Sequence, residues 1–191
     1  KFARETTFGK LRFINTAAGF YMRRPTDNWK IKAEFGGGAM MDMGAYPLQA
    51  ARYATGLEPI SVTAQQINLD PDNISETDET TTFQLEFPNG EFAQCMTTFA
   101  GSVNFLKINA EKGEYGLEPF SGYKGLHGFL PHGKKFDFPE KHQQAHQMDE
   151  MCRAIMEGKP SLTPGEEGLR DMIIIDAIKE SIKKGGKKVM L

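Results

Sequence analysis

The 191 residues predict an α+β domain, a mostly antiparallel, open-faced sheet with helices packed on one of its faces. Three observations carry that expectation. Segments 60–69, 79–88, 91–100 and 102–111 are rich in Val, Ile, Thr and Phe, with Pro-Asp, Pro-Asn-Gly and Ala-Gly-Ser breaks between them. Strands joined by such short turns pair antiparallel, because a parallel pair needs a long crossover. Finally, helical patterns lie before and after this block, and no succession of strand–helix–strand units replaces it.

The elements follow in order. Residues 11–20, LRFINTAAGF, are apolar and β-rich and form a first strand after the turn at Phe8-Gly9-Lys10. A polar stretch runs through Arg23-Arg24-Pro25 and Asn28-Trp29-Lys30 to Gly36-Gly37-Gly38. The run AMMDMGAYPLQAARYATG then reads as helix from its length and its Ala and Met content, with Gly56 as its C-terminal stop. Pro47 cannot donate to residue 43, so it starts or kinks that helix. Pro88-Asn89-Gly90 marks a hairpin, since Asn-Gly tolerates the positive φ of a tight turn.

Residues 113–140 are rich in Gly, Pro and aromatics and suggest an ordered loop with one more strand. A helix over about 142–157 places Met148, Met151, Cys152, Ile155 and Met156 on one apolar face. The last helix starts at Thr163-Pro164-Gly165-Glu166, where Thr can cap and Glu can complete a capping box, and it stops at Gly185-Gly186. The whole of 1–191 is expected to form a single domain.

Bulk properties exclude some partners. Lys and Arg number 23 against 25 Asp and Glu, a net charge of −2 that offers nucleic acid or an anionic membrane no attraction. No apolar stretch is long enough for a membrane span and no signal peptide is visible. Cys95 and Cys152 stand apart among apolar neighbours and read as buried free thiols, which suits the cytoplasm. The chain opens Lys1-Phe2-Ala3-Arg4 without Met, as a piece of a longer polypeptide would.

Chemistry has three candidate locations. Asp42 and Tyr46 are four apart, so a helix brings both to one face, where a hydroxyl can relay a proton and a carboxylate can orient it. The same spacing fits a solvated Asp and a core aromatic. His142, His146 and Glu150 recur along the next helix, but the metal-hydrolase pattern HExxH is absent. No metal is expected there, and His146 is kept as a cleft-facing group. Trp29, flanked by Arg23, Arg24, Asn28 and Lys30, is either a platform for a ring-shaped ligand or a loop anchor. Arg170-Asp171 reads as helix-surface charge. Gly36-Gly37-Gly38 lacks the context of a dinucleotide fingerprint or a P-loop and reads as a close backbone approach.

From Gly36-Gly37-Gly38-Ala39-Met40-Met41-Asp42-Met43-Gly44-Ala45-Tyr46-Pro47 to Gly56-Leu57-Glu58-Pro59 the sequence resembles the Gfo/Idh/MocA oxidoreductases, whose second domain opens a long helix with GGGAL-M-D-x-G-x-[HY]. Gly9-Lys10-Leu11-Arg12-Phe13-Ile14 is similar to that domain's opening strand. Asn28-Trp29-Lys30 is similar to its NWR loop, with Lys for Arg, and 163–171 to its terminal helix. The matches keep the family's order from residue 9 onward. The resemblance implies a C-terminal, substrate-side domain that closes over an N-terminal Rossmann domain carrying NAD or NADP, with homo-oligomerisation through the open sheet face. It implies hydride transfer at a small sugar or polyol-like substrate. Tyr46 takes the catalytic acid/base position, Asp42 that of its partner, and Trp29, Lys30 and His146 line the cleft. The family's catalytic Lys, in a Glu-Lys-Pro motif, has no counterpart, so this piece alone is expected to be inactive and to hold no cofactor. A competing expectation is a non-catalytic, homodimeric ligand-binding or scaffold module of the same fold.

Overall fold

The computed structural model describes residue 3, residues 5–22 and residues 28–191. Arg23 and Arg24 lie outside the described residues. Nine strands form one sheet: β1 (Leu11–Gly19), β2 (Ser61–Ile67), β3 (Thr80–Glu86), β4 (Phe92–Thr98), β5 (Val103–Ala110), β6 (Gly113–Leu117), β7 (His127–Phe129), β8 (Lys135–Asp137) and β9 (Val189–Met190). Their order across the sheet is β8-β7-β6-β5-β1-β4-β3-β2-β9. Every pairing is antiparallel except β1 with β4, which runs parallel from Phe13↔Phe92 to Gly19↔Thr98. The α+β expectation holds. Two strands beyond the expected one lie in 113–140, and β9 was not anticipated. All four of these late strands are short, and each takes its pairing from a strand already in place, so periodicity carries little of the signal.

The helices are α1 (Ala39–Met43), α2 (Ala45–Thr55), α3 (Gln143–Glu157) and α4 (Gly165–Lys183). The expected helix after the triple glycine is therefore α1 and α2 in succession. Gly44 between them keeps right-handed angles, φ −67° and ψ −25°, and the Leu48 amide still bonds its carbonyl at 3.2 Å. Pro47 leaves the Met43 carbonyl without its helical donor, which interrupts the ladder as its ring chemistry requires. No helix is long and apolar enough to cross a membrane among the described residues.

Alternation along the strands sorts side chains to two faces. Ile14, Val62, Phe83, Leu85, Ala93 and Cys95 point to one side, where Leu48 and Ala51 of α2 and Ile174, Ile175 and Ile178 of α4 complete the core. Phe83, Leu85, Leu48 and Ile178 keep 1% of their surface or less, and each such side chain contributes about 1.5–3 kcal/mol of burial. Burial pushes the Cys95 thiol far above its usual range, so it stays protonated. The opposite face carries the stacked rings of Phe13 and Phe92, 5.5 Å apart and each 38% exposed.

Three expectations need correction. The apolar side of α3 is not buried: Met148, Met151, Ile155 and Met156 are 49–84% exposed, Cys152 is exposed, and Ala154 alone of the helix is buried. The periodicity is real, but among the described residues that face is left exposed. Thr163 does not cap α4; Pro164 occupies the cap position and no side chain bonds the free amides. Asp171 is no surface charge. It is 5% exposed and receives hydrogen bonds from Arg52 at 2.7 Å and Gln49 at 2.6 Å.

Candidate active site

The triple glycine shapes the approach to α1. Gly36 and Gly38 adopt φ of 68° and 115°, open to glycine and costly for other residues. A Cβ on Gly37 would lie 2.4 Å from the Lys30 carbonyl oxygen. The Gly36, Gly37 and Gly38 amides are all engaged, donating to the carbonyls of Ala33, Lys32 and Lys30 at 3.0, 3.0 and 2.7 Å. They cannot also cradle a phosphate. The close-approach reading of this motif is the one the geometry bears out.

Asp78 holds the start of α1. Its carbonyl accepts from the Ala39 amide at 3.1 Å, and its carboxylate accepts from the Met40 amide and the Thr81 hydroxyl, both at 2.8 Å. From β4, the Thr97 hydroxyl donates to the Ala39 carbonyl at 2.9 Å. Glu76, in the same loop as Asp78, receives the Ala33 amide and the Lys32 ammonium, each at 3.1 Å. The Ala33 amide, with Lys32, lowers its carboxyl below the ordinary range. Asp78 and Glu76 were missed in the sequence, where they sit among other acidic residues with no spacing to mark them.

On this frame stand Lys30, Asp42 and Tyr46. Asn28 caps the 3₁₀ turn Trp29–Ile31, its side-chain oxygen accepting from the Lys30 amide at 3.0 Å. The Lys30 ammonium reaches Asp42 Oδ2 at 2.8 Å and lies 5.2 Å from the Phe20 ring and 5.8 Å from the Trp29 ring. The Asp42 side chain is only 16% exposed. Among the described residues its other oxygen, Oδ1, has no hydrogen-bond partner, and neither has the Tyr46 hydroxyl. Tyr46 is 49% exposed and Trp29 57%, so both stand at the surface beside the ion pair. Trp29 is no buried anchor.

The structure therefore brings Trp29, Lys30 and Asp42 together, with Tyr46 one helical turn beyond Asp42. It does not bring His146 to them. His146 lies in the exposed first turn of α3, its amide bonded to the His142 carbonyl at 3.0 Å. Glu150 accepts from the Leu162 amide at 3.3 Å. No group of three or more His, Cys, Asp or Glu placed to hold a metal ion occurs among the described residues.

Two functions are open to this surface: a hydroxyl that can exchange a proton with a substrate oxygen, and a free carboxylate oxygen that can accept from a substrate hydroxyl. An exposed indole beside them can carry a planar or sugar ring.

Comparison with known proteins bears on the family and the fold. Residues 1–115 match the family model described as the GFO/IDH/MocA C-terminal domain. A D-xylose 1-dehydrogenase [NADP(+)] of Haloarcula marismortui is 25% identical over 161 residues, 81% of this chain and 45% of that protein. The crystal structure of aldose-aldose oxidoreductase from Caulobacter crescentus, complexed with glycerol, superposes with a TM-score of 0.91. It is 29% identical, and the match covers 100% of this chain and 58% of that one. Myo-inositol 2-dehydrogenase from Lactobacillus plantarum shares the fold, with a TM-score of 0.74 at 17% identity over 100% of this chain and 59% of its own. The chain thus spans about half the length of these relatives.

Proposed function

This chain belongs to the GFO/IDH/MocA family as a C-terminal domain, and from that premise we propose that it is the substrate side of an NAD(P)-dependent oxidoreductase acting on a sugar or polyol. The supporting observation is the unsatisfied pair, Tyr46 hydroxyl and Asp42 Oδ1, presented at the surface on a rigidly held helix start. Relatives named for D-xylose and for aldoses, one of them crystallised with glycerol, support the substrate class. A nicotinamide, carried by a nucleotide-binding domain of the same polypeptide, supplies the hydride acceptor or donor.

Tyr46 exchanges a proton with the substrate oxygen as the attached carbon loses or gains hydride. Asp42 accepts from a neighbouring substrate hydroxyl through Oδ1 and fixes the sugar's orientation. Trp29 forms one wall. We further propose that copies associate through the open sheet face, where the Phe13–Phe92 stack is partly exposed. Two free thiols, one exposed, support a reducing, cytoplasmic setting.

The test is Tyr46→Phe in the full-length enzyme, assayed with aldoses and polyols against both nicotinamide cofactors. Turnover is expected to fall by about 10²–10⁴-fold with cofactor affinity nearly unchanged. Unchanged turnover would remove Tyr46 from the mechanism.

A further inference from the structure

Lys30 is the one cation in contact with Asp42 among the described residues, and its placement is fixed from three directions. Asn28 accepts from its amide at 3.0 Å, Gly38 donates to its carbonyl at 2.7 Å, and its ammonium lies between the Phe20 and Trp29 rings. The Gly38 bond matters most, because Gly38 is the residue from which α1 departs toward Asp42. Lys30 and Asp42 are thus tied twice, once by backbone through Gly38 and once by charge at 2.8 Å.

The carboxylate is used asymmetrically. Lys30 takes Oδ2, which leaves Oδ1 without a hydrogen-bond partner among the described residues. The ammonium spends one of its three donors on Oδ2 and keeps its place against the Phe20 and Trp29 rings. We infer that Lys30 is a positioning residue: it acts through Asp42, holding the carboxylate rotated so that Oδ1 faces the substrate beside Tyr46. This deepens the proposed function and rests on it. It also revises the expectation that Lys30 lines the cleft as a substrate contact.

The experiment compares Lys30→Met and Lys30→Arg with wild type and Tyr46→Phe in the full-length enzyme. Kcat, KM for the sugar and Kd for the nicotinamide nucleotide are measured separately. A positioning role predicts that Lys30→Met lowers kcat by about tenfold or more while KM and nucleotide Kd stay within about threefold. Lys30→Arg restores most of the loss, because a guanidinium can make the same bond to Oδ2. Thermal unfolding of Lys30→Met stays within about 3 °C of wild type, so lost folding does not explain the kinetics. A raised KM with kcat intact would make Lys30 a substrate contact, and a raised nucleotide Kd alone a cofactor contact; either overturns the inference, as does wild-type behaviour. If Tyr46→Phe keeps full turnover while Lys30→Met loses it, the proton-relay reading fails and the Lys30–Asp42 pairing stands.

Discussion

Asp42 and Arg52 stand on the same kinked helical run, and each is the centre of an ion-paired group, yet the two groups are built on opposite plans. Arg52 is 5% exposed and four of its five N–H donors are engaged: Nε and Nη2 donate to Glu58, both at 2.7 Å, Nη1 donates to Asp171 at 2.7 Å, and Nη2 also reaches Glu167 at 3.0 Å. Gln49 fills the second oxygen of Asp171. The Glu58 contact, with Asp171, raises the Arg52 pKa, so the cation never loses its proton. Around Asp42 a single bond from Lys30 leaves one oxygen open and the neighbouring Tyr46 hydroxyl free. A densely bonded network centred on buried Arg52 ties α2 to α4 and has little left to offer a ligand. A half-used, partly buried carboxylate does.

The contrast can be broken by mutation. Arg52→Met should cost the largest amount of stability, about 3–5 kcal/mol, because it leaves Asp171 buried and unpaired. Denaturant unfolding would show it, and turnover per folded molecule should survive. Equal stability in the variant would mean that the network can be dismantled without loss.

Asp42→Asn should do the reverse. Its pair with Lys30 is partly solvated, so unfolding free energy should move by no more than about 1 kcal/mol, while kcat falls by about 10²-fold. A variant that unfolds readily but turns over normally when folded would make Asp42 structural after all.

Glu58 gives the smallest effect and a pH signature. Its hydrogen bond from Arg52 lowers its pKa below the ordinary 4.5 in the folded state. The native protein therefore binds fewer protons than the unfolded chain in acid. The stabilisation is complete above pH 4.5 and is lost as pH falls through the lowered value. Glu58→Gln should flatten part of the acid slope in unfolding experiments. Glu76 and Glu86 are lowered in the same direction and retain the rest.

The two groups also differed in how visible they were in the sequence. Asp42 and Tyr46 were marked by helical spacing, and Trp29 and Lys30 by a lone Trp among cations, but nothing local joined Lys30 to Asp42. That contact depends on the Gly36–Gly38 turn, whose path follows from the Lys30 carbonyl it bonds. Arg52 passed unnoticed inside an apolar run, and Asp171 was misread as surface charge because its partner lies 119 positions away. The central strands were legible, since β-rich segments alternate between short turns. The late strands were not, because pairing rather than pattern makes them. For α3 the apolar face was read correctly and its burial was not, since periodicity shows that a face wants cover and never shows whether the same chain supplies it.

The strand that begins the fold sits at its centre. β1 lies between β4 and β5, with Phe13 paired to Phe92 and Ile14 to Ile108. During synthesis β1 leaves the ribosome before both of its neighbours, which follow only about eighty residues later, several seconds at ordinary elongation rates. Until then its apolar stretch has no partner of its own. The nascent chain must therefore keep one uncommitted strand soluble, which makes this interval the point where chaperone binding or wrong pairing would decide the yield.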